Sequence, residues 1–194
     1  MGKGRLEAFS DGVLAIIITL MVLEMKVPHG ATLDAVAPIV PVLLSYVVSF
    51  VYVGIYWNNH HHMLHAARKV TGAVLWANLH LLFWLSLLPF ATGWMGENHF
   101  AALPSAFYGG ILLASSVAFV ILQRTLLDSD GPDSLLRHAV GYRKGNLSSA
   151  LYLAAIMSTF WLPWVAQAIY VGVALMWLVP DRRIENVVAG VEHR

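Results

Sequence analysis

Uncharged apolar runs separated by short polar segments make up almost the whole chain. No Asp, Glu, Lys or Arg occurs in 12–23, 35–57, 71–96, 101–123 or 145–180. A helix rises ~1.5 Å per residue, so about 20 apolar residues cross a bilayer core roughly 30 Å thick. The second, third and fourth runs are long enough to cross. The last is too long for one crossing and carries Pro163 in its middle, so it reads as two helices joined by a tight turn. Pro38, Pro41 and Pro104 fall near helix starts, where a missing N–H is tolerated. With the first run this predicts six helices, at about 5–26, 35–58, 71–95, 102–125, 145–162 and 164–180. The expected fold is all-α, a polytopic membrane protein in which 1–194 is a single six-helix transmembrane domain.

The first helix, "RLEAFSDGVLAIIITLMVLEMK", fits this scheme least well. Its charge-free core, 12–23, has twelve residues and covers only about 18 Å. Arg5, Glu7, Asp11 and Glu24 crowd around it. Charges at membrane depth face a bundle interior or a water-filled cavity. Two readings follow. Either Arg5 to Asp11 snorkel at the interface and the bilayer thins, or the helix stands inside an assembly and lines an aqueous path. Ile16, Leu20 and Leu23 recur at spacings of four and three and share one face, with Thr19 beside them. Apolar rings one turn apart would form a dry neck of the kind that gates by dewetting. Branched aliphatics on any apolar helix also recur in this way.

Composition agrees with a membrane protein. The 194 residues are 58% hydrophobic and 12% charged, and a soluble domain carries about 25% charge. A net charge of +1 gives no case for nucleic acid, and without cysteine the redox compartment is unreadable. Lys3 and Arg5 precede an apolar run, but no small-residue cleavage site precedes Glu24, so the segment reads as retained rather than as a signal peptide. Met1-Gly2 invites myristoylation, but Leu6 stands where Ser or Thr is wanted.

Charge placement sets orientation. Six crossings put both termini on one side, together with Lys3, Arg5, Arg68, Lys69, Arg124, Arg137, Arg143, Lys144, Arg182, Arg183 and Arg194. The other side receives Lys26 alone. Cytoplasmic loops collect Lys and Arg, so both termini are expected to be cytoplasmic. Trp57, Trp76, Trp94, Trp161, Trp164 and Trp177 lie near predicted helix ends, as interfacial tryptophans do. "DSDGPDS", 128–134, is a polar cytoplasmic turn.

Specific motifs sharpen the picture. Arg5-x-x-x-Phe9-Ser10-Asp11, at the head of a first span, resembles the signature of the transmembrane protein 175 family of potassium channels. "YWNNHHHMLH" is similar to the end of that family's second helix, with Trp57, Asn59, His60 and His61 matching. "LWANLHLLFWLSLLPFATGWMGE" is similar to its third, with Asn78, Pro89 and Thr92 in place. The motif-bearing match covers roughly the first half. His62 and His65 enrich the histidine cluster beyond the usual pattern. The resemblance implies a bacterial homotetramer of six-helix subunits in the cell inner membrane, with the first helix of each lining a central pore. It places the constriction at Ile16, a selectivity-linked hydroxyl at Thr19 and further apolar layers at Leu20 and Leu23. It assigns the motif to assembly. A carbonyl filter of the T-V-G-Y-G kind does not occur in this chain.

Around the motif, Arg5 and Asp11 are six residues apart, about 240° net around the helix, so they do not share a face. Asp11 therefore needs a partner from another helix. A cluster of Arg5, Asp11 and His60 or His61, packed by Phe9 and Ser10, is expected to fix the first helix on the second. His61 and His65 share a face and invite a metal site, but a closed zinc site wants about four ligands; an interfacial histidine cluster without metal is the expectation, and a proton-sensing role is open. Glu24, with His29 and Asp34 nearby, flanks the outer mouth and is either a cation-concentrating group or an exposed surface residue. Glu97 reads as an interfacial cap.

The expected function is a leak-like, potassium-preferring cation channel that also passes rubidium and caesium, embedded in membrane lipid and without a cofactor. An apolar neck cannot coordinate an ion, so selectivity rests on dehydration cost, which is lower for potassium. Alternatives are a proton-conducting channel, a proton-coupled secondary transporter, and a non-conducting or metal-handling membrane protein. No nucleophile–base constellation, Walker loop or dinucleotide fingerprint occurs, so no enzyme is expected.

Overall fold

A computed structural model describes residues 2–131 and 142–178. Arg137, Arg182, Arg183, Arg194, the side chain of Arg143, the end of the polar turn at 132–134 and the last residues of the sixth expected helix lie outside the described residues. Helix α1 is Lys3–Leu23. A single helical turn, α2 (Leu33–Val36), and a 3-10 turn at Ala37–Ile39 lead into α3 (Val40–Ala66). Then come α4 (Gly72–Ser86), α5 (Leu88–Glu97), α6 (Ala102–Asp130), α7 (Tyr142–Ser158) and α8 (Pro163–Leu178). Among the described residues there is no strand.

Among the described residues, four stretches are long and apolar enough to cross a membrane: Lys3–Leu23, Leu33–Ala66, Gly72–Glu97 and Ala102–Asp130. The protein is an all-α, multi-pass membrane protein. The remaining helices, α7 and α8, have 17 and 16 residues. Prolines punctuate these elements as their chemistry requires. Pro163 opens α8, and Pro38 and Pro41 lie in the first turns of the second stretch. Pro89 separates α4 from α5 at Leu87, so the expected third helix is two short ones in sequence. Hydropathy runs straight through this break, because leucines continue on both sides of it.

Helix α1 packs against α3, α4 and α5. Its packed stripe is Leu6, Ser10, Leu14, Ile17 and Met21, spaced at three and four residues. Behind this group α6 packs on α4 and α5, α7 on α6, and α8 on α7 and α3. Several polar groups inside the bundle are tied to one another, as a low-dielectric surrounding favours. The Ser49 hydroxyl lies 2.7 Å from that of Thr92 and 3.0 Å from that of Tyr108. Tyr52 donates to the Tyr170 carbonyl at 2.7 Å, and Tyr170 donates to the Ser105 carbonyl at 2.9 Å. These bonds pin α3, α5, α6 and α8 together in mid-bundle.

The contact of α3 with α5 is close because Gly96 has no side chain. A Cβ there would lie 2.7 Å from the Val42 Cα and 2.6 Å from the Ser45 hydroxyl. Backbone cannot retreat as a side-chain tip can, so Gly96→Ala must push the helices apart. The expected loss is about 1–3 kcal/mol, the usual cost of overpacking, seen as a lower melting temperature in detergent.

Both ends of the bundle are tied. At one end the Lys3 ammonium donates to the carbonyls of His65 and Ala67, where α3 ends. There Asp130, closing α6, accepts from the backbone N–H of Arg68 and Lys69 at 3.0 and 3.1 Å. At the other end His99 and Phe100 turn the chain from α5 into α6 with φ of 51° and 60°. The Phe100 N–H reaches back to the Met95 carbonyl at 3.0 Å, closing α5 in a Schellman-like turn. This holds Glu97 2.8 Å from the Lys26 ammonium.

Candidate functional site

The two sides of α1 are unlike. A second side, about 110° around the helix from the packed stripe, carries Ile16, Leu20 and Leu23, which are 59%, 44% and 73% exposed in the protomer. Thr19 is exposed beside them, and its hydroxyl donates to the Ala15 carbonyl at 2.9 Å. That bond spends the proton within the helix and leaves the oxygen lone pairs for water or an ion. Arg5 and Phe9 stand on this same open side, within about 20° of Ile16 around the helix.

The motif is held by two separate hydrogen-bond groups. In the first, Asn78 of α4 bridges α1 and α3. Its amide donates to the Ser10 hydroxyl at 3.0 Å, and its carbonyl oxygen lies 2.7 Å from His60 Nε2. Ser10 in turn donates to the Leu6 carbonyl. All three side chains are buried. In the second, Asp11 accepts from the Trp57 indole N–H at 3.0 Å. Trp57 stacks on His61, and His61 on His65, with ring centroids 6.2 and 6.1 Å apart.

The structure therefore brings Ser10, Asp11, His60 and His61 to the α1–α3–α4 junction but does not join them into one cluster. Asp11 meets Trp57 rather than a histidine, and Arg5 does not meet Asp11. The 240° between those two positions sends the guanidinium to the open side. Asn78 is the member that sequence reasoning left without a role. The available signal was an amide inside an otherwise apolar run. One oxygen of Glu7 is buried with no hydrogen-bond partner among the described residues.

At the far end of α1, Glu24 sits over Gly93 of α5: its Oε2 is 3.1 Å from where a Cβ on Gly93 would stand. Glu97 is occupied by Lys26, and the hydrogen bond and charge of Glu97 raise the Lys26 pKa above its ordinary value. Both partners are largely exposed, so the pair contributes little to stability. Glu24 is exposed. Among the described residues no group of three or more His, Asp or Glu is placed to hold a metal ion.

Comparison with known proteins follows from this geometry. Residues 5–89, which hold the α1–α3–α4 junction, match the family model described as endosomal/lysosomal potassium channel TMEM175. A potassium channel of Chryseobacterium sp. (strain P1-3) is 53% identical over 187 residues, which is 96% of this chain and 97% of that one. The chain belongs to the TMEM175 family. The crystal structure of a lysosomal potassium-selective channel TMEM175 homolog from Chamaesiphon minutus matches with a TM-score of 0.78 at 28% identity, over 91% of this chain and 96% of that one. The endosomal/lysosomal proton channel TMEM175 of Gallus gallus is 36% identical over 103 residues, 47% of this chain and 21% of its own length. TMEM175 membership thus rests on a full-length relative as well as on the junction motif.

Proposed function

We propose that this protein is a potassium-preferring, leak-like cation channel, working as a homotetramer in the inner membrane of a bacterium. Each chain crosses six times with both termini cytoplasmic. The α1 helices of four copies surround the pore. Ile16 forms the constriction, Leu20 and Leu23 the apolar layers beyond it, Thr19 the selectivity-linked hydroxyl, and Glu24 an anionic group at the outer mouth. One observation carries this reading: in a chain whose bacterial relative is named a potassium channel, α1 leaves Ile16, Leu20 and Leu23 exposed in the protomer while Leu6, Ser10, Leu14, Ile17 and Met21 are packed. Along α1, Ile16 and Leu23 are separated by about 10 Å, so the layers would form a dry neck rather than a single ring. An ion entering it sheds water without gaining ligands. Potassium does this at lower cost than sodium, and rubidium and caesium follow.

Proton conduction is the second reading, favoured by the match to animal relatives named proton channels. Planar-bilayer recordings under opposed potassium and sodium gradients, then under a pH gradient alone, separate the two. The expected reversal potential moves toward the potassium equilibrium value and ignores the pH gradient. A reversal that follows pH makes it a proton channel. Absence of current from a correctly assembled tetramer, or saturable coupled uptake, rejects the channel reading.

A further inference from the structure

Helix α1 is held in two halves by two different helices. Near its start, Ser10 is tied to α4 through Asn78. Near its end, α1 and the residues just after it meet α5 at three places in order: Met21 at Thr92, Glu24 over Gly93, and Lys26 on Glu97. The break at Leu87 separates these two supporting helices, so the outer half of α1 has a support of its own.

Of the three α5 contacts, the one between Met21 and Thr92 is buried. The Thr92 hydroxyl donates to the Met21 sulfur at 3.9 Å. A hydroxyl has one proton to give. With that of Thr92 spent on sulfur, Ser49 of α3 donates to Thr92 at 2.7 Å, and Tyr108 of α6 donates to Ser49 at 3.0 Å. The three hydroxyls thus form one chain, running from α6 through α3 and α5 and ending on α1. Hydrogen bonds in such a chain polarise one another in a low-dielectric interior, so the weak thioether acceptor faces a strengthened donor. Helix α5 is itself fixed at this level. Ser45 donates to the Thr92 carbonyl at 3.1 Å, and Gly96, one turn on, lies against the α3 backbone.

Met21 belongs to the packed stripe, yet it stands about 1.5 Å along the helix axis from Leu20 and about 3 Å from Leu23. Ile16 is about 7.5 Å away. A helix is stiff over one turn, so whatever fixes Met21 fixes the directions in which both leucines point. We infer that Thr92 is a positioning residue for the outer apolar layers: through Met21 it sets how far Leu20 and Leu23 reach into the pore, and with them the preference for potassium. This rests on the pore reading proposed above, in which those leucines line the neck. Thr92 stands behind α1 and acts through it.

The test is the potassium-over-sodium permeability ratio of the full chain, from reversal potentials in planar bilayers. Thr92→Val keeps the shape of the side chain and removes the hydroxyl. Met21→Leu is a volume-conserving swap that removes the acceptor, and it carries the test should Thr92→Val not assemble. Each is expected to lower the ratio about twofold or more, the scale on which contacts remote from a ligand modulate function. Loosened leucine layers admit water, which spares sodium its dehydration. Thr92→Ser keeps the hydroxyl and should hold the ratio near wild type. Thr92→Val and Met21→Leu combined should lower it no further than either alone, since both cut the same bond. A merely structural Thr92 would lower the melting temperature in detergent and leave the ratio unchanged. That result overturns the inference, as do additive effects or a Thr92→Ser ratio as altered as that of Thr92→Val. A potassium-preferring wild type whose variants match it rejects this inference alone. A wild type without potassium preference rejects the channel reading and this inference with it.

Discussion

Ile16→Asn should raise sodium permeability relative to potassium while the protein still assembles. Ile16 is 59% exposed on a helix whose buried residues are Leu6, Ser10, Leu14, Ile17 and Met21, so the substitution leaves the packed stripe of the protomer in place. In the proposed pore it replaces four branched side chains by four amides. Each amide offers an oxygen and an N–H where there was nothing to replace lost water. The penalty that separates the two ions is the dehydration difference, so both barriers fall and sodium's falls further. A fall of about 1.4 kcal/mol in one barrier is tenfold in rate. A change of that order would bring the two permeabilities close to equal. Reversal potentials with sodium on one side and potassium on the other measure this directly. A variant with normal expression, normal tetramer content and the wild-type permeability ratio would remove Ile16 from the constriction and shift attention to Leu20 or Leu23.

How far the sequence foretold this arrangement differs from one level to the next. Apolar runs located the helices because the hydrocarbon of a bilayer imposes its own length. They did not reveal the break at Leu87, where Pro89 interrupts the helix while hydrophobicity continues. Within α1 the open and packed sides could be written down as two spacings, 16, 20, 23 and 6, 10, 14, 17, 21, but periodicity alone could not say which side met protein. Nearly every position in that run is apolar, so polar residues had to carry the distinction. Ser10 does so, since a hydroxyl in the packed stripe needs a partner from a neighbouring helix as well as from its own.

The partner of Asp11 was misjudged by one helical turn. Lys3 meets the carbonyl of His65, Ser10 lies at the level of His60 through Asn78, and Asp11 at the level of Trp57. Each step up α1 is thus a step down α3, as antiparallel helices require. Trp57 and His61 share a face four residues apart, and spacing within one helix cannot tell which of them reaches a neighbour. The register between helices is a tertiary quantity. It is set here by Lys3 closing the end of α3 and by a single amide on α4.

That amide gives the second large effect. Asn78→Leu should destabilise the protein more than Asp11→Ala, although Asp11 carries the charge. Asn78 is fully buried and satisfies two buried groups on two different helices, Ser10 and His60. A leucine of similar size leaves the imidazole facing hydrocarbon and strips the hydroxyl of its donor. Each orphaned group costs about 1–3 kcal/mol. Asp11 has one bond in the second group, to an indole that is itself 46% exposed, so its loss lets water or lipid head groups take over. The expected order of melting temperature and of tetramer yield in detergent is wild type, then Asp11→Ala, then Asn78→Leu. Pairing Asn78→Leu with His60→Leu should recover part of the loss, because removing both partners leaves no orphan on α3. An Asn78→Leu protein as stable as wild type would mean that Ser10 and His60 find other partners, and that the amide does not set the register between α1 and α3.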